Sequence, residues 1–175
     1  MTTQTANSPV RIAVLGCSGS GKTTLAAAIS EKLGLPCVPT DHAFWTEDWR
    51  PRPAPDVRSW LAAVSSAEHW VLDGNFDDDR DLLWARADLA VWLDLPKATT
   101  LWRVLRRNLG WWIARRPVWG SGRMTLAKAL GGVRHAALSH GPKRRAYPAM
   151  LAEFPELAVV RLRSPRDVDA WLAGV

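Results

Sequence analysis

The chain has 175 residues, 47% of them hydrophobic, and a formal net charge of +6, which suits one compact domain with a sizeable core. No apolar run approaches the roughly 20 residues that a transmembrane segment needs, and the polar residues 1–9 lack the apolar stretch of a signal peptide. Two cysteines cannot build a disulfide framework, so we expect a cytoplasmic protein with a disordered tail over residues 1–9 and one domain over residues 10–175.

The first predicted elements are a strand and a helix joined by a glycine-rich turn. Val10–Leu15 is a short β-branched apolar run, typical of a buried parallel strand. Lys22–Leu33 has the composition of a helix, and Gly34 is its expected stop. The segment between them, Gly16–Thr23, fits the phosphate-loop pattern G-x-x-x-x-G-K-[ST] in full.

Phosphate binding requires these residue types. Glycines let successive backbone N–H groups point inward at phosphate oxygens, and the helix N-terminus adds the positive end of its dipole. Lys22 is expected to reach the β and γ phosphates, and the Thr23 hydroxyl to bind Mg²⁺. The predicted ligands of ATP, or of a similar nucleoside triphosphate, are Gly16, Ser18, Gly19, Ser20, Gly21, Lys22, Thr23 and Thr24. The alternative is a chance match in a glycine-rich turn.

Strands and helices alternate along the rest of the chain. In order, they are a strand at Cys37–Pro39, a helix at Asp56–Ser66, strands at Trp70–Asp73 and Asp88–Asp94, helices at Lys97–Arg116, Arg123–Ser139 and Pro142–Glu153, a strand at Leu157–Leu162, and a helix capped by Ser164. This alternation predicts a parallel, doubly wound α/β sheet. The helical stretch before the last strand is longer than a crossover needs, and we expect an insertion there.

Two strands end in an aspartate, the residue that holds Mg²⁺ beside a phosphate loop. Asp73 ends the strand Trp70–Asp73 and is favoured because Gly74 permits a close approach of backbone to ligand. Asp94 ends a similar strand and is the competitor. Asp41 follows the second strand, where it could orient or deprotonate an acceptor hydroxyl, or simply belong to a turn.

The basic residues are concentrated in one half of the chain. Residues 95–152 contain no Asp or Glu and twelve Lys or Arg, whereas residues 1–96 contain eight bases and thirteen acids. This asymmetry favours a polyanionic partner, which could be a nucleotide, a nucleic acid or an anionic lipid surface. Arg103, Arg106 and Arg107 share one helix face, and guanidinium groups bind phosphate oxygens bidentately. A solvated basic face is the alternative.

Several segments carry a family resemblance. They are the phosphate loop, Asp41-His42-Ala43-Phe44-Trp45, Trp70-Val71-Leu72-Asp73-Gly74-Asn75-Phe76, and Arg80-Asp81-Leu82-Leu83-Trp84-Ala85-Arg86-Ala87-Asp88. Together they resemble the P-loop proteins of the DNA topology modulation group, in the adenylate-kinase-like branch of nucleotide kinases. The resemblance implies a three-layer P-loop NTPase fold, a five-stranded parallel sheet in the order 2-3-1-4-5, and an arginine-rich lid over residues of about 108–141.

The resemblance also implies roles for individual residues. Lys22, Asp41, Arg103, Arg107 and Arg144 match catalytic positions, Ser164 and Pro165 match the seat of adenine, and Asp41, Trp45, Asn75 and Arg80 match the acceptor pocket. Where nucleotide kinases continue Phe-Pro-Arg, this chain has Asn75-Phe76-Asp77. The following acids, Asp77, Asp78 and Asp79, also argue against a nucleoside monophosphate acceptor.

The leading hypothesis is a kinase that transfers the γ-phosphoryl group of MgATP to a nucleotide or small-molecule acceptor. The alternative is a nucleic-acid-associated ATPase or regulator that uses the basic helices, although no helix-turn-helix or other reader motif is evident. A third interpretation is membrane or partner binding through Trp111, Trp112 and Trp119. The acceptor, the choice between ATP and GTP, and homodimer formation are left open.

Overall fold

The computed structural model describes residues 10–39, 52–115 and 124–175, and five strands within them form one parallel sheet. The strands are β1 (Arg11–Gly16), β2 (Cys37–Pro39), β3 (Trp70–Asp73), β4 (Leu89–Leu93) and β5 (Ala158–Leu162). Their spatial order is β2-β3-β1-β4-β5, with every neighbouring pair parallel. The predicted fold class and strand order are confirmed.

Helices cover both faces of this sheet. They are α1 (Lys22–Leu33), α2 (Ala54–Ser65), α3 (Arg80–Leu83), α4 (Lys97–Ile113), α5 (Leu126–Ala152) and α6 (Pro165–Gly174). The short helix α3 was not predicted. Helix α1 ends at Gly34, whose φ of 66° is the left-handed conformation that glycine adopts without strain. Helix α6 begins with the predicted capping box, in which Ser164 and Asp167 bond to each other's backbone.

The two faces of the sheet bury two separate cores, as the alternation of side chains along β1 requires. Ala13 and Leu15 point to the face covered by α2, α3 and α5. Ile12 and Val14 point to the opposite face, covered by α1 and α6. Because the central strands are buried on both faces, their sequences are continuously apolar. The packing of α1 against one of these faces holds the helix close to the carboxyl end of β1.

Helix α5 differs from the prediction. The two helices expected at Arg123–Ser139 and Pro142–Glu153 form one continuous helix of 27 residues, with Pro142 inside it. Proline in a helix interior costs about 3 kcal/mol, and burial on both sides of this position offsets that cost. His140 is buried and its Nε2 lies 3.2 Å from the carbonyl oxygen of Leu95, while the buried Tyr147 packs into the core beyond.

Helices α4 and α5 contain the described part of the predicted lid. Residues 108–113 belong to α4 and residues 126–141 belong to α5, whereas residues 116–123 lie outside the described part of the chain. The two helices pack together, and the buried Asn108 donates from Nδ2 to the carbonyl oxygen of Ala129 at 3.1 Å. None of the described helices is long and apolar enough to cross a membrane.

Candidate nucleotide-binding site

The glycine-rich turn lies between the buried carboxyl end of β1 and the first turn of α1. Gly19 and Gly21 have φ values of 78° and 98°, a conformation that residues with a side chain rarely adopt. A Cβ atom on Gly19 would lie 2.6 Å from Val104 Cγ2 and would also collide with the carbonyl oxygen of Thr100. The turn therefore packs directly against helix α4, and this contact needs glycine.

Lys22 folds its side chain back over this turn. Its Nζ donates to the carbonyl oxygens of Gly16 at 3.0 Å and Cys17 at 3.4 Å. The ammonium group thus lies at the strand end of the turn, beside the backbone N–H groups that would face a phosphate. This is the geometry expected for a lysine that reaches the terminal phosphates of a bound triphosphate.

A cavity of about 880 Å³ lies over the turn. Four parts of the chain line it. They are Ser18–Leu25 and Ala28 of the turn and α1, Asp73, Asn75 and Leu93 at the carboxyl ends of β3 and β4, Arg103, Arg107 and Trp111 of α4 with His135, Ser139 and Lys143 of α5, and Pro165, Val168, Asp169 and Leu172 of α6. Its volume lies in the range of sites for small ligands and cofactors. Of the predicted nucleotide ligands, the structure brings Ser18–Thr24, Arg103 and Pro165 together in this cavity.

The two candidate metal-binding aspartates differ in their surroundings. Asp73 is 7% exposed and lines the cavity together with Thr23. Asp94 is 2% exposed and does not line the cavity. Its carboxylate accepts hydrogen bonds from Arg144 Nε and from Arg161 Nε and Nη2, the last at 2.6 Å. Asp94 therefore joins β4 to helix α5 and to β5, whereas Asp73 faces the space where a ligand would bind.

The predicted arginines divide between the cavity and this ion-pair cluster. Arg103 lines the cavity and donates from Nη1 to the carbonyl oxygen of Ser20 at 2.9 Å. Arg107 lines it one turn further along α4, with its guanidinium carbon 4.9 Å from the ring centre of Trp111. Arg144, predicted to be catalytic, is not among the lining residues and pairs with Asp94 instead.

The residues predicted for the acceptor pocket lie in different surroundings in the structure. Asn75 lines the cavity, and its Oδ1 accepts a hydrogen bond from the Gly16 backbone N–H at 3.0 Å. Arg80 pairs with Glu153 and does not line the cavity. Asp41 and Trp45 lie outside the described part of the chain. Ser164 caps α6 and Pro165, which follows it, lines the cavity.

The acidic run after β3 is largely paired with bases. Asp77 accepts a hydrogen bond from Lys143 at 2.8 Å, and Asp79 accepts one from Arg58 at 2.9 Å. Arg58 also bonds both carboxylate oxygens of Asp81, which holds the pKa of Asp81 below its usual range. The negative charge expected at the acceptor side is therefore partly neutralised.

Three cavity residues on helix α5 were missed from the sequence. His135, Ser139 and Lys143 are spaced four residues apart and form one stripe along α5. These three residues share one helix face only if the helix continues through Pro142, because a break there would place Lys143 on a separate helix. The sequence signal for these three residues was therefore their spacing of four, which the predicted helix break at Pro142 concealed.

The charged side chains that line the cavity are mostly basic. Lys22, Arg103, Arg107 and Lys143 contribute four positive charges, against the carboxylates of Asp73 and Asp169. A site with this balance favours a polyanionic ligand. Across residues 10–39, 52–115 and 124–175, no group of three His, Cys, Asp or Glu side chains is placed to hold a metal by itself.

Comparisons with known proteins show the fold. No model of a known protein family matches this sequence. A Bacillus subtilis (strain 168) protein named "Uncharacterized protein YqaC" is 34% identical over 99 residues, which cover 55% of this chain and 56% of that protein. The match thus spans about half the length of this curated relative.

Three solved structures resemble almost the whole chain. A gluconokinase from Sinorhizobium meliloti 1021 has a TM-score of 0.53 and 21% identity over 95% of this chain and 93% of its own. A deoxyadenosine kinase from M. mycoides, with products dCMP and a flexible dCDP bound, has a TM-score of 0.54 and 16% identity over 94% and 97%. A shikimate kinase from Acinetobacter baumannii, in complex with shikimate, has a TM-score of 0.54 and 18% identity over 91% and 87%. The chain has the fold of P-loop kinases.

Proposed function

We propose that this protein is an ATP-dependent phosphotransferase that binds MgATP in the cavity over Gly16–Thr23 and transfers the γ-phosphoryl group to a nucleotide or small-molecule acceptor. The observation that carries this proposal is the position of Lys22. Its ammonium group lies at the strand end of a turn that contains glycines in the left-handed conformation, at a cavity whose charged lining residues are mostly basic. These features together suit a triphosphate and its developing charge.

The turn and its neighbours suit the three phosphates of ATP. The N-terminus of α1 lies at this cavity and has no side-chain cap, and backbone N–H groups at a helix N-terminus suit phosphate oxygens. Arg103 and Arg107, four residues apart on α4, project into the same cavity and can neutralise oxygens that the turn does not reach. Pro165 and Val168 of α6 offer an apolar surface for the base.

Mg²⁺ fits the residues that face this cavity. The Thr23 hydroxyl and the Asp73 carboxylate line it together, and oxygen donors of this kind are those that Mg²⁺ prefers beside phosphates. When bound, the ion would neutralise charge on the phosphate oxygens. We propose Thr23 as the residue that holds it directly and Asp73 as the residue that holds it through water.

For the transfer itself, the chain supplies positioning and positive charge. An acceptor oxygen forms a bond to the γ-phosphorus as the bond to the β–γ bridging oxygen breaks, and ADP leaves with that oxygen. Lys22, Arg103 and Arg107 stabilise the charge on the phosphoryl oxygens, and Asn75 keeps Gly16 in place beside them. We propose that Asp41 takes the proton of the acceptor hydroxyl.

We further propose that the chain belongs with the DNA topology modulation group of P-loop proteins. The sequence segments around Asp41, Asp73 and Arg80 support this, and the fold shared with gluconokinase, deoxyadenosine kinase and shikimate kinase is consistent with it. ATP is the proposed nucleotide because the capped turn before Pro165 corresponds to the seat of adenine in such kinases.

Calorimetry on the whole chain tests the nucleotide site. The wild-type protein is expected to bind ATP in the presence of Mg²⁺, and Lys22→Ala to weaken that binding at least about 100-fold, because it removes a charged contact to the phosphates. Lys97→Ala is the matched control, since Lys97 is exposed and does not line the cavity. Equal affinities for wild type and a folded Lys22→Ala variant would refute the site.

An acceptor screen tests the reaction. Nucleosides, nucleoside monophosphates, sugars and sugar acids are incubated with the protein and MgATP, and ADP release is compared with release in the absence of an acceptor. A kinase gives acceptor-dependent ADP and a phosphorylated product of equal amount. ADP release that depends on DNA or RNA instead would favour the alternative ATPase function.

A further inference from the structure

The cavity has a second lysine that no sequence motif singled out. Lys143 lies on α5 in the stripe His135, Ser139 and Lys143, and it lines the cavity together with residues of the turn. Among the residues that the structure describes, its Nζ donates one hydrogen bond, to Asp77 Oδ2 at 2.8 Å. An ammonium group has three donors, so two remain for a ligand in the cavity.

The position of Lys143 relative to the turn is indicated by Cys17. Burial raises the pKa of the Cys17 thiol, and the positive charges of Lys22 and Lys143 act on it in the opposite direction. Lys22 Nζ bonds directly to the carbonyl oxygen of Cys17. Helix α5 itself contacts the turn here, because Cys17 Sγ donates to the carbonyl oxygen of His140 at 3.7 Å, about one helical turn before Lys143. Lys143 therefore lines the cavity close to the end of the turn at which Lys22 lies.

Asp77 holds the ammonium group of Lys143 at the cavity. Its carboxylate is three-quarters shielded from solvent, and its Oδ1 is fully buried with no hydrogen-bond partner among the described residues. The lysine is thus the cation that neutralises this carboxylate. Because Asp77 follows β3 and Lys143 belongs to α5, the ion pair spans the edge of the cavity.

We propose that Lys143 binds the γ-phosphoryl group of the nucleotide, with Asp77 as the residue that positions its ammonium group. This inference rests on the proposed function, because it assigns a further contact to the same triphosphate. It replaces Arg144, the neighbouring residue favoured by the sequence, which is held in the ion-pair cluster around Asp94. Lys22 and Lys143 then approach the terminal phosphate from two different elements.

A comparison of ATP with ADP tests this assignment. In calorimetry with Mg²⁺, Lys143→Gln is expected to weaken binding of a non-hydrolysable ATP analogue by about 10- to 100-fold, the usual effect of losing a hydrogen bond to a charged group. Its affinity for ADP should stay within about twofold of wild type, because ADP has no third phosphate. Lys143→Arg should restore most of the analogue affinity.

Two controls separate this contact from a structural role. Lys128→Gln makes the same change at an exposed site on the same helix, and it should leave both affinities unaltered. The double variant Lys143→Gln/Asp77→Asn removes the unpaired buried carboxylate, and it should still bind the ATP analogue weakly. Recovery of wild-type affinity in the double variant would overturn the proposal, since it would mean that Lys143 only neutralises Asp77.

Other outcomes distinguish this inference from the proposed function. Equal weakening of ATP-analogue and ADP binding in Lys143→Gln would overturn the γ-phosphoryl assignment and leave the nucleotide site intact. Unchanged analogue affinity with an increased KM for the acceptor would also overturn it, because Lys143 would then bind an anionic group of the acceptor. Loss of nucleotide binding in Lys22→Ala alone would support the proposed function without supporting Lys143.

Discussion

Asn75 and Gly16 are joined by a hydrogen bond of 3.0 Å from the backbone N–H of Gly16 to the side-chain oxygen of Asn75. Asn75 follows β3, and Gly16 is the last residue of β1, so the bond connects the ends of two neighbouring strands. It fixes the first residue of the glycine-rich turn to the segment after β3 that lines the cavity.

Asn75→Ala is predicted to loosen this loop. The variant leaves the Gly16 N–H without its acceptor, which should reduce stability by about 1–2 kcal/mol and weaken ATP binding several-fold. Calorimetry and thermal unfolding measure the two effects. Asn75→Asp keeps an acceptor oxygen and should retain stability, although its negative charge opposes phosphate binding. Wild-type ATP affinity in Asn75→Ala would contradict a role of this bond in shaping the loop.

Asp73 and Asp94 are predicted to give opposite results when each is changed to asparagine. Asp73→Asn should preserve the fold and reduce the Mg²⁺ dependence of ATP binding, because a carboxylate near the proposed metal is lost. Asp94→Asn should lower stability by about 2–3 kcal/mol, because Arg144 and Arg161 lose a charged acceptor. Titration of ATP at several Mg²⁺ concentrations, together with thermal unfolding, measures both.

The Asp73 and Asp94 variants serve as controls for each other, since both residues are buried aspartates at the carboxyl ends of β3 and β4, the two strands that flank β1. If Asp94→Asn, rather than Asp73→Asn, altered the Mg²⁺ dependence in a folded protein, the assignment of the metal site would be reversed.

Arg107→Ala is predicted to lower kcat by about 10²-fold, with a smaller change in ATP affinity, because a positioned cation acts most strongly on charge that develops during transfer. The matched control is the neighbouring Arg106→Ala, since Arg106 is exposed and does not line the cavity over the glycine-rich turn. The measurement is steady-state turnover with the acceptor found in the screen. Equal losses in the two variants would point to a general effect of helix charge.

Asp88 provides a prediction about pH and stability. It accepts hydrogen bonds from the backbone N–H, Nε and Nη2 of Arg11, and these bonds hold the pKa of Asp88 below its usual range. A lowered carboxyl pKa contributes stability above the unfolded value of about 3.9, and this contribution is lost as pH falls through the folded pKa.

Asp88→Asn should therefore destabilise the protein by about 1–2 kcal/mol at pH 7. The difference from wild type should begin to shrink as pH falls below about 4, where Asp88 of the unfolded chain takes up a proton, and should be lost as pH falls through the lower pKa of Asp88 in the folded protein. Urea unfolding at several pH values measures this. A difference that is constant across that range would show that the lost hydrogen-bond geometry, and not the charge, causes the change.

Pro142→Ala tests the continuity of helix α5. Alanine restores a backbone donor and is favoured over proline in a helix interior by about 3 kcal/mol, although part of this gain is offset by a more flexible unfolded chain. We expect a net stabilisation of about 1–2 kcal/mol. Thermal unfolding measures it. An unchanged or lower Tm would indicate that the helix bends or ends at this position.

The parts of the fold predicted correctly depend on local patterns. The apolar run before Gly16, the glycine spacing up to Lys22 and the alternation of strands with helices each identify their structure within a few residues. The continuity of α5 could not be read in this way. Pro142 favours a break locally, whereas His140 and Tyr147, on either side of it in one continuous helix, are buried against distant parts of the chain.

The different contacts of Lys143 and Arg144 could not be read from a local pattern either. The two residues are adjacent on the helix, and the resemblance favoured the arginine. Their separate roles depend on Asp77 and Asp94, which approach from two other elements, and no pattern within α5 identifies those partners. The preference for Asp73 over Asp94 as the metal-binding aspartate stays a prediction, and the structure places Asp73 among the cavity-lining residues and Asp94 in the ion-pair cluster.

The buried His140, beside the carbonyl oxygen of Leu95, and the ion pair of Arg144 with Asp94 hold α5 against β4 and its following turn on both sides of Lys143. If a nucleotide binds as proposed, the response of this wall of the cavity is therefore confined to the aliphatic chain and ammonium group of Lys143. Because the backbone there is already ordered, binding costs little main-chain entropy on this wall of the cavity. The binding free energy that closure of a lid would otherwise require can then contribute to affinity.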